Sequence, residues 1–288
     1  METENNTFTV KTDPCFGTAP ATGYKLIAGL NGNSVQLLVF DPEKNKFIAF
    51  AQKKILNKAG LFGYFEHLKD FFTKNELISH QYRDVVVLWE SQRSTLVPDA
   101  LYETDERETY FYFNLGKVID EKICGDKLKT AELYNVYGVP EELENNLGLK
   151  SFRMRHHGSA FIENVMIFSK VRMLSKQVFI HIHPAFFDML VSENGRLLFY
   201  NSFAYKTAED FIYFVLFVYG QLQLSPENNS IILSGGVLKN SALYDILFKY
   251  IRNIDFMEPG EQYLNSFILK DIPPHTIHNL TSVVLCEL

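Results

Sequence analysis

Cysteine is scarce in this chain, basic runs are missing, and no hydrophobic stretch is long. Cys15, Cys124 and Cys286 are the three cysteines among 288 residues, and they lie far apart. They fit neither a zinc-ligand spacing nor a disulfide framework, which favours a reducing compartment. A formal net charge of −6 and a pI near 5.8 oppose general nucleic-acid binding. The polar stretch Met1 to Asp13 lacks the basic start and apolar centre of a signal peptide. The longest apolar run, Phe211 to Tyr219, is too short to span a bilayer. It follows the acidic Thr207-Ala208-Glu209-Asp210, which suits a helix N-terminus, so it reads as a buried core helix. These absences predict a cytoplasmic chain with no membrane insertion and no nucleic-acid partner.

What is present is core material. The apolar fraction is 47% against 22% charged, with 15 Tyr and 25 Phe. A soluble globular protein with a large, aromatic-rich core follows. Apolar runs separated by turn signals predict strands over Tyr24 to Leu30, Ser34 to Phe40 and Lys46 to Ala51. Helical spacing predicts a helix over Gly60 to Phe72, and Val85-Val86-Val87-Leu88 a strand over Asp84 to Trp89 buried on both faces. The order is βββαβ.

It returns from Gln177. Strands are predicted over Gln177 to His183, Phe186 to Val191 and Arg196 to Ser202, a helix over Thr207 to Leu222, and a strand over Ser230 to Leu233. The intervening residues 94–174 are irregular. Within them Thr109 to Leu115, Glu132 to Tyr137 and Phe152 to Arg155 read as strands, and Glu141 to Leu147 and Phe161 to Leu174 as helices. Val283 to Leu285 reads as a closing strand. The pattern divides the chain into a half over 1–175 and a half over 176–288.

The second copy ends in Leu233-Ser234-Gly235-Gly236-Val237-Leu238-Lys239-Asn240-Ser241, a strand, two glycines and a helix start. Two glycines there allow a sharp turn and the close approach of another group. Tandem βββαβ units ending this way resemble the actin-like ATPase superfamily: an α/β, ribonuclease H-like fold whose two halves close on a nucleotide. More narrowly, the chain resembles an uncharacterised bacterial family assigned this fold, distantly similar to pilus-assembly and cell-division relatives. The resemblance implies ATP or ADP as the ligand, although these residues fix no cofactor. Carried over to this sequence, the candidate contacts are Gly235 and Gly236 near the adenosine. Asn31, Gly32, Asn33 and Ser34 stand at the first phosphate turn, and His183 at the second.

The phosphate turns depart from the family pattern. Aligning its Ser-Val-Lys with Ser34-Val35-Gln36 puts Gly29 where an acid should stand. Aligning its Thr-Thr-Asp with Phe186-Phe187-Asp188 puts His181 at the second acid, with His183-Pro184-Ala185 replacing glycines. Glycine cannot hold Mg²⁺, and histidine holds it poorly. Pro184 removes an N–H, and Phe186 and Phe187 are bulky. No catalytic residue and no metal ligand is assigned. The expectation is a scaffold that acts through a protein partner, with a homodimer left open, and without efficient ATP hydrolysis. The alternative, an active ATPase or small-molecule kinase, needs acids from elsewhere, such as Asp188, Asp41 or Asp84.

Two further groupings carry possible chemistry. His181 and His183 share a strand face and would make half a metal site if His156, His157 or Asp188 completed it; a polar solvated or interface face is the simpler reading. His156-His157-Gly158-Ser159 lacks the nucleophile-elbow pattern of a hydrolase.

Overall fold

The computed structural model describes residues 8–17, 20–55, 60–172 and 175–285. Its first half runs β1 (Phe8–Thr12), β2 (Lys25–Asn31), β3 (Ser34–Asp41), β4 (Lys46–Lys54), α1 (Gly60–Lys74) and β5 (Asp84–Trp89). An insertion follows: β6 (Ser94–Pro98), α2 (Arg107–Leu115), β7 (Glu121–Leu128) and β8 (Leu133–Pro140). The chain rejoins the first sheet through α3 (Glu142–Leu147) and β9 (Arg153–His156), then crosses over in α4 (His157–Arg172). The second half is β10 (Gln177–Ile182), β11 (Phe186–Glu193), β12 (Arg196–Ala204), α5 (Ala208–Gln221), β13 (Ile231–Gly235), α6 (Ala242–Tyr250) and β14 (Ile254–Phe256). Two short helices close the chain, α7 (Glu261–Leu264) and α8 (His278–Ser282).

The predicted repeat is present in three dimensions. The first sheet has the order β1-β4-β3-β2-β5-β9 and the second β12-β11-β10-β13-β14. Without β1 they are the same arrangement: an antiparallel meander whose first strand pairs in parallel with the strand after the helix. Alternation along β5 explains why both its faces are buried. Val87 and Trp89 meet Phe65, Leu68 and Phe72 of α1, while Val86 and Leu88 meet Leu269, Ile277 and Leu280.

Those last residues come from the far end of the chain, which leaves the second sheet and packs on the first. In the opposite direction, Phe161, Ile162, Val165 and Met166 of α4 pack on Phe179 and Leu190 of the second sheet. The exchange sets the open strand ends of both sheets across one cleft. Helix α5 covers the outer face of the second sheet, and its start is fixed by a capping box. The Thr207 hydroxyl accepts the Asp210 N–H at 3.1 Å, and the Asp210 carboxylate accepts the Thr207 N–H at 3.1 Å. Such a cap contributes about 1 kcal/mol.

Two local expectations are corrected, and one strand is added. Thr109 to Leu115 lies in helix α2, not a strand. Of the run Tyr110-Phe111-Tyr112-Phe113 only Phe111 is buried, and Gly116 at φ 67° ends the helix. Aromatic residues favour strands on average, but one inward Phe against Ile123 and Val136 suffices for a short helix. Val283 to Leu285 form a turn after α8. Phe8–Thr12, within the polar leader, is an edge strand on β4. Cys286 lies outside the described residues.

If the returning C-terminal segment holds the first half, Leu269, fully buried, is one of its anchors. Leu269→Ala is expected to destabilise the protein by about 2–5 kcal/mol in urea unfolding. Phe267→Ala, at a 70% exposed position, is expected to stay within about 0.5 kcal/mol. Equal effects would contradict this packing.

Candidate functional site

A cleft of about 1180 Å³ lies between the halves. The first hairpin lines it with Asn31, Asn33 and Ser34, and the second half with His181, His183, Pro184, Gly235 and Gly236. Glu90, His157, Asn279 and Leu280 line it too. Of the candidate contacts, Gly32 alone stands outside this lining, exposed at the tip of its turn. Glu90, Asn279 and Leu280 were not legible as site residues. Glu90 carried one signal, an acid directly after a fully apolar strand, where parallel sheets open onto their crevices.

The first turn is closed on itself. Asn31 Oδ1 accepts the N–H of Asn33 at 2.9 Å, the N–H of Ser34 at 2.7 Å and the Ser34 hydroxyl at 3.2 Å. A phosphate at this hairpin would have to displace that carboxamide. At Gly29 a Cβ would lie 2.9 Å from Leu280 Cδ1, the end of a side chain that would have to shift to admit one. An aspartate at 29 would need the space that the Leu280 side chain fills.

The second turn is tight, with the His183 N–H donating to Phe186 O at 2.9 Å. Gly235 follows from the neighbouring backbone. It has φ 83°, and a Cβ on it would sit 2.2 Å from Ile182 O. Gly236 differs, since only Ile182 O, at 3.6 Å, lies near its Cβ position.

At the base of the cleft is a buried ionic cluster. Asp188, fully buried, accepts His157 Nε2–H and His183 Nε2–H on Oδ2, both at 2.8 Å. Its Oδ1 accepts the Tyr200 hydroxyl at 3.1 Å and the Ser202 hydroxyl. His183 Nδ1–H donates to Glu90 Oε2 at 2.8 Å. With a carboxylate on each nitrogen, the His183 ring carries both protons and a positive charge. Burial opposes that charge, but Glu90 and Asp188 outweigh it and raise the His183 pKa to about 10. Burial likewise opposes the Asp188 charge, and His157 and His183 hold its carboxyl well below the ordinary range.

His157 sits differently. The Ser91 N–H points to its Nδ1 at 3.4 Å, placing the ring proton on Nε2. His156 accepts the Gly158 N–H and an Asn135 amide proton on Nδ1, and donates from Nε2 to Ser91 O. His181 Nδ1 meets the Ser234 hydroxyl at 2.8 Å. Burial pushes both His156 and His181 well below their ordinary pKa. Far from forming a solvated face, His181 and His183 are buried between the halves. Ligating atoms of His157, His183 and Asp188 lie within 4.8 Å of one another, and neither His156 nor His181 joins that set.

The remaining proposals from sequence fall away from the chemistry. Asp41 caps its own turn by accepting the Glu43 and Lys44 N–H groups. Asp84 pairs with Arg153 at the end of β5 opposite Glu90. Ser159 is fully buried and accepts an Asn135 amide proton, so it is no nucleophile. Arg155 pairs with buried Asp126 at 3.2 Å.

Two matching half-sheets closing on one cleft define an actin-like ATPase fold, and comparison with solved structures agrees. A Bacteroides thetaiotaomicron protein with an actin-like ATPase fold and unknown function matches at TM-score 0.80 and 23% identity, covering 93% of this chain and 97% of that one. The type IV pilus biogenesis complex PilM–PilN supplies a second match, at TM-score 0.62 and 13% identity, covering 92% and 97%. At these identities the likeness concerns the fold. The chain belongs to the family described as protein of unknown function (DUF3822), whose model matches residues 13–254. No protein of curated function matches its sequence. Among the described residues, no helix is long and apolar enough to cross a membrane.

Two predictions follow from this geometry. Gly235→Ala is expected to cost about 1–3 kcal/mol from its backbone conformation alone, and more from Ile182. Gly236→Ala is expected to stay within about 0.5 kcal/mol; thermal unfolding of both variants separates the roles. The second concerns pH, in chelator-containing buffer. His183 binds its proton more tightly folded than unfolded, so its contribution is complete below pH 6.5, the unfolded value, and is lost as pH rises towards about 10. His156, His181 and His278 are held neutral, His278 down to about pH 4 by burial, so their contribution is complete above 6.5 and fades as pH falls. Calorimetry is expected to show Tm highest near neutrality and falling on both sides. A Tm that stays level from pH 6.5 to 10 would refute the His183 bridge.

Proposed function

We propose that this protein is a non-hydrolysing member of the actin-like fold that works as a protein-interaction scaffold, with its cleft left to a regulatory nucleotide, ATP or ADP. The observation that carries the reading is the Leu280 side chain packed where Gly29 replaces the first acid. Three others support it. Asn31 occupies the amides of the first phosphate turn, Pro184 has no N–H to offer at the second, and Asp188 spends both oxygens on protein donors.

The scaffold side of the reading rests on surface and neighbour. Phe113 is 89% and Ile119 83% exposed on the inserted subdomain, apolar side chains that a partner could cover. The PilM neighbour was solved in a complex with PilN. In this reading the setting is the cytoplasm, where Cys15 and Cys124 stay thiols.

Glu90 favours a second reading, because a carboxylate at the cleft end of β5 stands where a base for phosphoryl or group transfer would. A thermal-shift titration with ATP, ADP and GTP, each with and without Mg²⁺, and a phosphate-release assay separate the two. The scaffold reading expects no turnover and no magnesium-dependent shift. A nucleotide bound at 100 times its Kd would add about 2.7 kcal/mol of stability whether or not magnesium is present. Magnesium-dependent turnover that falls at least tenfold in Glu90→Gln would replace the scaffold with an enzyme.

A further inference from the structure

We propose that His157, His183 and Asp188 form a site for one divalent transition-metal ion at the junction of the two halves. The site does not depend on the scaffold reading. Three elements supply it: the first residue of α4, the residue after β10, and the middle of β11. Both imidazole Nε2 atoms converge on one Asp188 oxygen at 2.8 Å, and all three ligating atoms lie within 4.8 Å of one another. Two imidazoles and one carboxylate suit Zn²⁺, Mn²⁺, Fe²⁺, Co²⁺ or Ni²⁺. The same donors do not suit Mg²⁺ or Ca²⁺, which take oxygen ligands.

The surroundings are those of a metal site. His183 donates its other ring N–H to the Glu90 carboxylate, and the second Asp188 oxygen is held by the Tyr200 and Ser202 hydroxyls. Partners of this kind orient ligands and tune their basicity. Glu90 is only 14% exposed and Asp188 fully buried, so these partners hold the ligands out of bulk solvent.

A divalent ion takes the place of the two ring protons that point at Asp188 Oδ2: the Nε2 proton of His183 goes to solvent, and that of His157 moves to Nδ1. The one adjustment is at His157, whose Nδ1 must leave the Ser91 N–H that it faces at 3.4 Å. That contact is long, and turning one ring away from it is a small movement.

The test is calorimetric titration of chelator-treated, dialysed protein with Zn²⁺ and Mn²⁺ in buffers of different ionisation enthalpy. One ion per chain with one proton released is expected. His157→Gln and Asp188→Asn are each expected to weaken binding more than 100-fold, and Glu90→Gln about 10–100-fold. His67→Gln with His80→Gln, on α1 and the loop beyond it, is expected to change nothing. Should the cluster variants fail to fold, X-ray absorption of the zinc-loaded natural protein reads the ligands directly: two imidazoles and one carboxylate are expected. No stoichiometric binding, binding lost with His67 and His80, or a ligand set without two imidazoles would each overturn the proposal.

Discussion

The two halves meet through one imidazole ring with a carboxylate on each nitrogen. Glu90 belongs to the first sheet and Asp188 to the second, so the His183 bridge is at once an ion pair and a fastening across the cleft. Burial makes it consequential. Removing one member of a buried pair leaves an unpaired charge, at a cost of about 3–5 kcal/mol. Tyr200 extends the network, and Gly158 extends the constraint. A Cβ on Gly158 would lie 2.3 Å from the Tyr200 hydroxyl, so the start of α4 must be bare for Asp188 to be satisfied. The base of the cleft is therefore fixed by polar geometry, while the walls are fixed by apolar packing.

The architecture was legible because it is written in local patterns that occur twice. Strand alternation, turn residues and one helix per copy gave βββαβ in both halves, and the sheets share one strand order. What failed was decided by tertiary context. The aromatic run at Tyr110 has strand-like composition, but the inserted sheet had a place for a helix with one buried Phe. Phe8–Thr12 is too short and polar to announce itself; it becomes a strand because the edge of β4 is open to it.

The site was legible in part, for the same reason. Gly235, Gly236, His181, His183 and Asp188 lie within or beside predicted strands, so the repeat carried them to the cleft. Glu90, beside a predicted strand, has the same origin, whereas Leu280 is brought there by a contact across the whole chain. Leu280 meets Gly29 from about 250 residues away, and no spacing rule reaches that far. His157 was legible both in a local motif with Ser159 and, beside Asp188, as a partner of His181 and His183. The structure pairs it with Asp188, 31 residues on, and leaves Ser159 to Asn135.

The Gly-Gly turn shows how a ligand signature can have a structural cause. Its first glycine is required whether or not anything binds, because β10 and β13 run in parallel and bring Ile182 O within 2.2 Å of the Gly235 Cβ position. Any protein with this strand order and a chain leaving β13 at that angle meets the same demand. Gly236 is different: it lines the cleft and has room for a side chain it does not carry. What joins the two half-sheets at the base of that cleft is a histidine facing carboxylates, with His183 held between Glu90 and Asp188.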